Sequence, residues 1–218
     1  MKSTPVEYLI PDIMRAAVLF GPNDLRVVDR PVPKPGPGEV LVKVAVCAIC
    51  GTDPKIVARP LPGQPPFGEF IPGHEWTGTV VALGPTVDEL SIGDRVAAQT
   101  HRGCMRCENC LRGDYTVCLN YGNPAKGHRA AGFTVDGGYA EYVVHHHSAL
   151  FRIPAEISFE EAAMVTTAGT PIYGLDVAEQ MLEIEARQGP AGITVEGYVS
   201  APSVHRPSRQ DMVFFVNG

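Results

Sequence analysis

Short apolar runs alternate with turn-forming residues along the first two-thirds of the chain. The runs are rich in valine, alanine, isoleucine and leucine and are bounded by glycine, proline, asparagine or aspartate, which is typical of strands. They predict six strands: Ala16–Phe20, Leu25–Asp29, Val40–Val46, Trp76–Leu83, Arg95–Gln99 and Glu141–Val144. Regular short strands of this kind favour a mainly β fold that is closed or partly closed into a barrel.

Two helices are predicted after these strands. Ser158 and Glu161 form an S-x-x-E capping box, in which hydroxyl and carboxylate satisfy the free amides of a first helical turn. Pro171 suits a first helical position, because its missing N–H costs no hydrogen bond there, and it predicts a second helix through about Ala186. Farther on, apolar residues predict strands over Ile193–Val199 and Met212–Val216.

The composition supports this picture and excludes some functions. The 23 glycines and 20 prolines among 218 residues favour many turns over a helical bundle. A formal net charge of −6 argues against a general nucleic-acid binder, which is usually basic. No apolar run approaches the length of a membrane span, and the residues at the N-terminus do not predict a secretory signal. These features predict a cytoplasmic protein without a membrane partner, and residues 1–13 resemble a loose leader.

Four cysteines lie within fifteen residues of one another, at spacings of x2, x2 and x7: Cys104, Cys107, Cys110 and Cys118. Two-residue gaps let successive thiolates turn back onto one ion, and the longer loop brings in a fourth to complete a tetrahedron. The surrounding residues offer almost no apolar core, so metal binding would stabilise this cysteine lobe (residues 101–120). The spacing predicts a structural zinc. The alternatives are an iron–sulfur cluster, whose usual run closes with x3 and proline, and incidental thiols.

A second set of metal-binding side chains comes from two separate loops. Cys50 follows a predicted strand, and His74 with Glu75 precedes another. Cysteine, histidine and a neighbouring carboxylate are the ligand types of a catalytic zinc, which keeps one position open. Thr52 could pass a proton from a zinc-bound alcohol to solvent. Cys47 lies on the other phase of its strand and is predicted to be a small core residue.

These motifs together resemble a known family. Gly73-His74-Glu75-Trp76-Thr77-Gly78, followed by Gly84 and Val87, matches the zinc-containing alcohol dehydrogenase signature at every fixed position. The strand before Cys50-Gly-Thr-Asp and the cysteine lobe follow in the same order. Residues 14–178 thus resemble the GroES-like catalytic domain of the medium-chain dehydrogenase/reductase superfamily, nearest its polyol and threonine dehydrogenase branches.

The resemblance implies a function for each motif. Cys50, His74 and Glu75 would hold a catalytic zinc, the four lobe cysteines a structural zinc, and Thr52 would relay a proton. The reaction would be hydride transfer between a small alcohol or polyol and NAD(P). This chain departs from the family at two places. It has Thr166 and Thr167 where relatives place a further Cys or Glu ligand, and Lys55 where many have the relay histidine.

The C-terminal residues do not continue the family pattern. Hydride transfer in this family needs a Rossmann domain, yet residues 179–218 contain no G-x-G-x-x-G turn. The sequence therefore predicts that this domain is absent here, so that the chain is a truncated fusion, inactive alone. About residues 184–218 instead resemble part of the MutL mismatch-repair family. An uncovered apolar strand at Met212–Val216 favours self-association.

Other functions stay open at this point. The chain could be a non-enzymatic, zinc-stabilised or partner-binding module, or, more remotely, a mismatch-repair accessory protein. Arg206 and Arg209 alone make a poor case for nucleic-acid binding in an acidic chain. The triplet His145-His146-His147 is predicted to be an exposed loop feature rather than a metal site.

Overall fold

The computed structural model describes residues 8–168, 181–187, 194–200 and 215–216. It is mainly β, as predicted. Its strands are β1 Ile13–Gly21, β2 Asp24–Pro31, β3 Glu39–Ala48, β4 Glu75–Leu83, β5 Arg95–Ala98, β6 His101–Arg102, β7 Arg129–Ala130, β8 Tyr142–His146, β9 Leu150–Arg152, β10 Met181–Arg187, β11 Thr194–Ser200 and β12 Phe215–Val216. All six strands predicted before residue 150 are confirmed.

The largest sheet is antiparallel and has five strands in the order β8-β3-β4-β5-β9. Alternation along β3 sends Val40 and Val42 to one face and Leu41 to the other, and both faces are buried. One face carries the first core cluster, centred on the fully buried Trp76: Val40, Val42, Trp76, Val80, Leu90, Val96, Ala98, Val143 and Leu150. Cys47 packs against this cluster, so the prediction of a core role for it is confirmed.

The β1–β2 hairpin covers the opposite face of this sheet. Met14, Ala16 and Val18 of β1 pack with Leu41, and Tyr8 and Ile10 lie against the same cluster. The Ala17 N–H donates to the carbonyl of Tyr139 at 2.8 Å, which ties β1 to the segment leading into β8. Over the described residues these pairings form open sheets, not the closed ring that was one of the two predicted forms.

The helices are short. They are α1 Asp53–Ala58, α2 Glu108–Leu111 and α3 Phe159–Ala168. The predicted capping box of α3 is confirmed, since the Glu161 N–H donates to Ser158 Oγ at 3.1 Å and the Ser158 N–H donates to Glu161 Oε2 at 2.7 Å. The Thr77 hydroxyl donates to the Phe159 carbonyl at 3.0 Å and fastens α3 to β4. In the part of the chain that is described, no helix has the length and hydropathy needed to cross a bilayer.

The predicted second helix is wrong over its last part, because residues 181–187 form strand β10. Leu182, Ile184 and Ala186 alternate with charged residues, and a period of two suits a strand rather than a helix. β10 pairs antiparallel with β11, and β11 with β12. The predicted strand at Ile193–Val199 is confirmed within Thr194–Ser200, and that at Met212–Val216 at Phe215–Val216. Positions 171–180 of the predicted helix lie outside the described residues.

The histidine triplet is not an exposed loop. His145 and His146 end strand β8, and His145 is only 2% exposed. Its Nε2 lies 3.0 Å from the Gln99 carbonyl oxygen, and its ring meets Trp76 edge-on. Burial lowers the pKa of His145 to about 4, so the ring is neutral in the core. His147 pairs with Glu89 at 3.0 Å. His145 is buried because it lies on strand β8, opposite Val40 of β3. A run of three histidines therefore does not by itself indicate an exposed loop.

Candidate metal centres

The pairing of β3 with β4 brings Cys50 and His74 to the same end of the sheet. The two strands are antiparallel, with Ala48 opposite Glu75. Cys50 follows the end of β3, and His74 directly precedes the start of β4. A separation of 24 residues in sequence therefore becomes a close approach in space.

Cys50, His74 and Glu75 form one candidate centre, which we call the three-ligand site. One ligand atom from each residue lies within 4.8 Å of the other two. His74 is 5% and Glu75 6% exposed, and Cys50 is half-buried. Burial lowers the pKa of His74 to about 4, which leaves the imidazole neutral as a metal ligand requires. Burial, with the nearby Glu75, raises the pKa of the Cys50 thiol.

Asp53 lies behind the three-ligand site and contacts two of its members. Its Oδ2 accepts the Cys50 backbone N–H at 2.7 Å, and its Oδ1 lies 3.6 Å from His74 Nδ1. The first contact closes the turn into α1, where the aspartate is the first residue. The second contact is longer than a hydrogen bond, and it places a carboxylate beside the His74 ring. Histidine ligands of metals commonly donate their other ring N–H to a carboxylate, which fixes the ring orientation.

Thr52 lies at the edge of the three-ligand site. Its backbone N–H donates to Cys50 Sγ at 3.5 Å, and its hydroxyl is 3.6 Å from the same sulfur. The residue is half-buried. Lys55 lies exposed on α1, and positions 166 and 167 fall in α3.

Cys104, Cys107, Cys110 and Cys118 form the second candidate centre, the four-thiol site. The sulfurs of Cys104 and Cys110 are 3.9 Å apart, and so are those of Cys107 and Cys118. A tetrahedral zinc with Zn–S bonds of about 2.3 Å places its sulfurs about 3.8 Å from one another. The two measured distances fit this geometry.

Backbone and side-chain amides surround the sulfurs of the four-thiol site. Cys104 Sγ accepts the Cys107 N–H at 3.3 Å and the Asn120 side-chain amide at 3.1 Å. Cys118 Sγ accepts the Cys104 and Asn120 backbone N–H groups at 3.4 and 3.3 Å. Hydrogen bonding, chiefly from Asn120, lowers the pKa of Cys104 to about 5. Burial raises the pKa of Cys110, and a bound cation would favour the thiolate form of this residue.

The cysteine lobe has little apolar interior of its own. Its buried cluster consists of Cys104, Cys110 and Cys118, against which Cys107 and Tyr115 pack. The larger apolar side chains of the lobe point outward instead: Met105, Leu111, Val117 and Leu119. This arrangement agrees with the sequence argument that a bound metal stabilises the lobe.

The two centres differ in what they can do chemically. Four sulfurs complete a tetrahedron and leave no position for a substrate, which is typical of a structural zinc. Three ligands leave a position open, which a catalytic zinc requires. Sequence reasoning named all seven ligand candidates and Thr52. It missed two contacts of these sites, Asp53 and Asn120, although Asp53 is part of the Cys-Gly-Thr-Asp motif.

Comparison with known proteins decides the family. The model of the alcohol dehydrogenase GroES-like domain matches residues 36–155, which is more than half of the chain. The chain belongs to this family. Both candidate centres fall within the matched range.

Curated relatives and solved structures agree with this family. An alcohol dehydrogenase of Geobacillus stearothermophilus is 38% identical over 162 residues, which cover 73% of this chain and 46% of that protein. A sorbitol dehydrogenase of Bacillus subtilis is 34% identical over 167 residues, covering 76% and 46%. The cobalt- and zinc-bound thermostable alcohol dehydrogenase of Pyrobaculum aerophilum aligns with a TM-score of 0.62 at 34% identity, covering 71% and 44%. The chain thus spans about half the length of these alcohol dehydrogenase family members.

A second family model matches the other end of the chain. The model of the DNA mismatch repair protein C-terminal domain matches residues 170–218. This range contains β10, β11 and β12, which form a three-stranded antiparallel sheet. The match covers less than a quarter of the chain and lies outside both candidate metal centres.

Proposed function

We propose that residues 14–178 are the zinc-binding catalytic domain of an NAD(P)-dependent alcohol or polyol dehydrogenase, in the form of a partly open β-barrel. The convergence of Cys50, His74 and Glu75 beside the Thr52 hydroxyl carries this proposal. The alcohol and sorbitol dehydrogenases among the relatives support a small alcohol or polyol as substrate.

The side chains present fit zinc at both centres. The three-ligand site offers sulfur, nitrogen and oxygen from buried or half-buried groups, and the four-thiol site has the sulfur spacing of a tetrahedron. The metals of the related Pyrobaculum aerophilum enzyme support the assignment. A zinc held at the three-ligand site would supply Lewis acidity toward an alcohol oxygen.

The protein side chains around the three-ligand site have separate tasks in this proposal. Asp53 keeps His74 oriented through Nδ1 and keeps Cys50 in place through its backbone N–H. Thr52 accepts the alcohol proton at Oγ1 and donates its own proton outward. Phe133, whose ring centroid is 4.6 Å from that of His74, excludes water from one side of the ligand. Lys55, at the position of the relay histidine of relatives, is exposed, so in this proposal the proton leaves from Thr52 directly to solvent.

Removing the Cys50 thiol tests the three-ligand site directly. We expect Cys50→Ser to abolish metal binding there while leaving the fold and one tightly held zinc intact, because the half-buried residue lies outside the core clusters and the four-thiol site. The measurement is cobalt titration of protein whose four-thiol site holds zinc, followed by thiolate-to-cobalt absorption. Circular dichroism reports the fold.

Cys47→Ser is the matched control. Cys47 lies three residues earlier and belongs to neither ligand group. We expect this variant to keep the cobalt signal. An unchanged cobalt signal in Cys50→Ser would exclude the three-ligand site and the catalytic role built on it.

A turnover assay of the 218-residue chain can exclude a non-enzymatic, zinc-stabilised module. Hydride transfer needs the nicotinamide ring held at about 3–3.5 Å from the reacting carbon. Residues 179–218 contain no G-x-G-x-x-G turn to bind that cofactor. We therefore expect the 218-residue chain alone to show no zinc-dependent reduction of NAD or NADP by mixed alcohols. Turnover that is lost in Cys50→Ser would contradict this expectation and exclude the non-enzymatic module.

A further inference from the structure

A partly open cavity of about 180 Å³ lies under the β1–β2 hairpin, and none of the candidate metal ligands lines it. Part of its wall is apolar and comes from the cluster beneath the hairpin: Met14, Ile71 and Tyr142. The wall also carries polar side chains from four different segments of the chain: Glu39, Arg129, Asp136 and His146. The dehydrogenase reaction proposed above uses none of these residues.

The cavity begins where two strands separate. The Glu141 N–H, just before β8, donates to the Arg15 carbonyl of β1 at 3.1 Å. Among the described residues, no backbone hydrogen bond joins β1 to β8 beyond this point. Met14 and Tyr142, the next residues on the two strands, line the cavity. The strand arrangement itself therefore creates the space.

Arg129 and Glu39 are held side by side in the cavity wall. Nη1 of Arg129 donates to the carbonyls of Pro124 and His128 at 2.7 and 3.1 Å. Glu39 Oε2 accepts the Gly36 N–H at 3.0 Å. Arg129 Nε and Glu39 Oε1 are 3.9 Å apart, which is beyond hydrogen-bond distance. Backbone groups therefore fix both charges, and each charge keeps bonding capacity that their own ion pair does not use.

The other polar groups of the wall leave it without an excess of positive charge. Asp136 adds a second carboxyl group, whose Oδ1 accepts the Ile71 N–H at 3.0 Å. His146 accepts the Ser148 N–H at Nδ1, and burial lowers its pKa to about 4, so this ring is neutral. One guanidinium beside two carboxyl groups does not suit a purely anionic ligand. The volume is that of about six water molecules, which limits the ligand to less than drug size.

We propose that this cavity binds a small α-amino acid with an apolar side chain. Arg129 pairs with the ligand carboxylate and Glu39 with the ligand ammonium group, because a guanidinium beside a carboxylate complements a carboxylate and an ammonium group on one carbon. Asp136 offers a second carboxyl group to the ammonium. The ligand side chain packs on Met14 and Ile71. This inference needs no metal and so stands independently of the proposed function.

Titration of the zinc-loaded full chain with L-valine, followed by nuclear magnetic resonance chemical shifts, tests the proposal. We expect saturable binding with a Kd of about 1 mM, because a ligand of about eight non-hydrogen atoms yields only a modest affinity. Isobutylamine lacks the carboxylate of valine, and isovalerate lacks its ammonium group. Each should bind at least about 10-fold more weakly than L-valine, since one of the two charged contacts is missing.

Arg129→Gln and Glu39→Gln each remove one charge from the cavity wall. Either change should weaken L-valine binding at least about 10-fold. Glu39→Gln keeps an oxygen for the Gly36 N–H, so that turn is preserved. Arg106→Gln is the matched control, because Arg106 is exposed, lies outside the cavity wall and donates to the Lys126 carbonyl at 3.0 Å. It should leave the affinity within about twofold of wild type, and circular dichroism reports the fold of each variant.

A second control separates the cavity from the three-ligand site, because an amino acid can also bind a metal. Cys50→Ser should bind L-valine as tightly as the wild type does. Loss of binding in that variant would place the ligand on the metal, which overturns this inference and leaves the proposed function standing. No saturable binding of L-valine, equal binding of isovalerate or isobutylamine, or unchanged affinity in a folded Arg129→Gln or Glu39→Gln variant would overturn it as well.

Discussion

Cys107→Ser should release the tightly held zinc and unfold the cysteine lobe, whereas the rest of the chain keeps its fold. A structural zinc contributes about 10 kcal/mol or more, and removing one of four equivalent ligands then costs about 2.5 kcal/mol, or on the order of 100-fold in affinity. The lobe has no apolar interior to compensate, because its buried side chains are the ligands themselves. Loss of the metal should therefore expose residues 101–120 as a unit.

Elemental analysis after extensive dialysis measures the first effect. We expect close to one tightly held zinc per chain in the wild type, with the three-ligand site partly filled in addition, and about one equivalent less in Cys107→Ser. Limited trypsin digestion measures the second, since Arg106 and Arg112 lie inside the lobe. Cys47→Ser serves as control and should retain both zinc and trypsin resistance. Less than about half an equivalent of zinc in the wild type, or stoichiometric iron, would contradict the structural zinc assignment.

Gly78→Ala should destabilise the fold by about 3 kcal/mol, near the upper end for added core atoms. A Cβ at Gly78 would lie 2.2 Å from the Lys43 carbonyl oxygen and 2.7 Å from Val42 Cγ1. The first of these atoms belongs to the backbone of β3, so it cannot move without disturbing the pairing of β3 with β4. Because Cys50 follows the end of β3 and His74 directly precedes β4, metal affinity at the three-ligand site should fall as well.

Urea denaturation of the zinc-loaded chain measures the first effect, and cobalt titration the second. The matched control is Gly21→Ala, because a Cβ at Gly21 would meet only Asp24 Cβ at 3.9 Å. It gives the unfolded chain the same loss of freedom without the clash, so its stability should stay within about 1 kcal/mol of wild type. If Gly78→Ala unfolds at the same urea concentration as Gly21→Ala, the close contact with the Lys43 backbone does not exclude a side chain at position 78.

The matched signature of the family thus includes a residue whose role is steric. Gly78 closes the motif that starts at Gly73, and neither glycine supplies chemistry. The missing side chain at Gly78 leaves room for the Lys43 backbone, and that at Gly73 leaves room for the Tyr139 ring. The sequence shows only that both glycines match the family signature. The packing shows which neighbouring group needs the space at each position.

The features that could be predicted from the sequence are those that depend on interactions between residues close together in the chain. Apolar runs bounded by turn residues identified the six strands, since side-chain alternation and turn geometry act over a few residues. The Ser158–Glu161 capping box was readable for the same reason. The four lobe cysteines are spaced closely enough for the chain itself to bring them together, so their grouping also followed from the sequence.

Contacts over long sequence separations were decided only by the tertiary structure. Gly73 and Tyr139 are far apart in the chain, and the Tyr139 ring lies on Gly73 because β3, β4 and the segment before β8 lie side by side. No local pattern marks that meeting, because it depends on strand register. The strand at Met181–Arg187 was missed although its alternation of apolar and charged residues is a local signal. The burial of His145, in contrast, depended on tertiary structure, because neighbouring strands determine which side chains of β8 are buried.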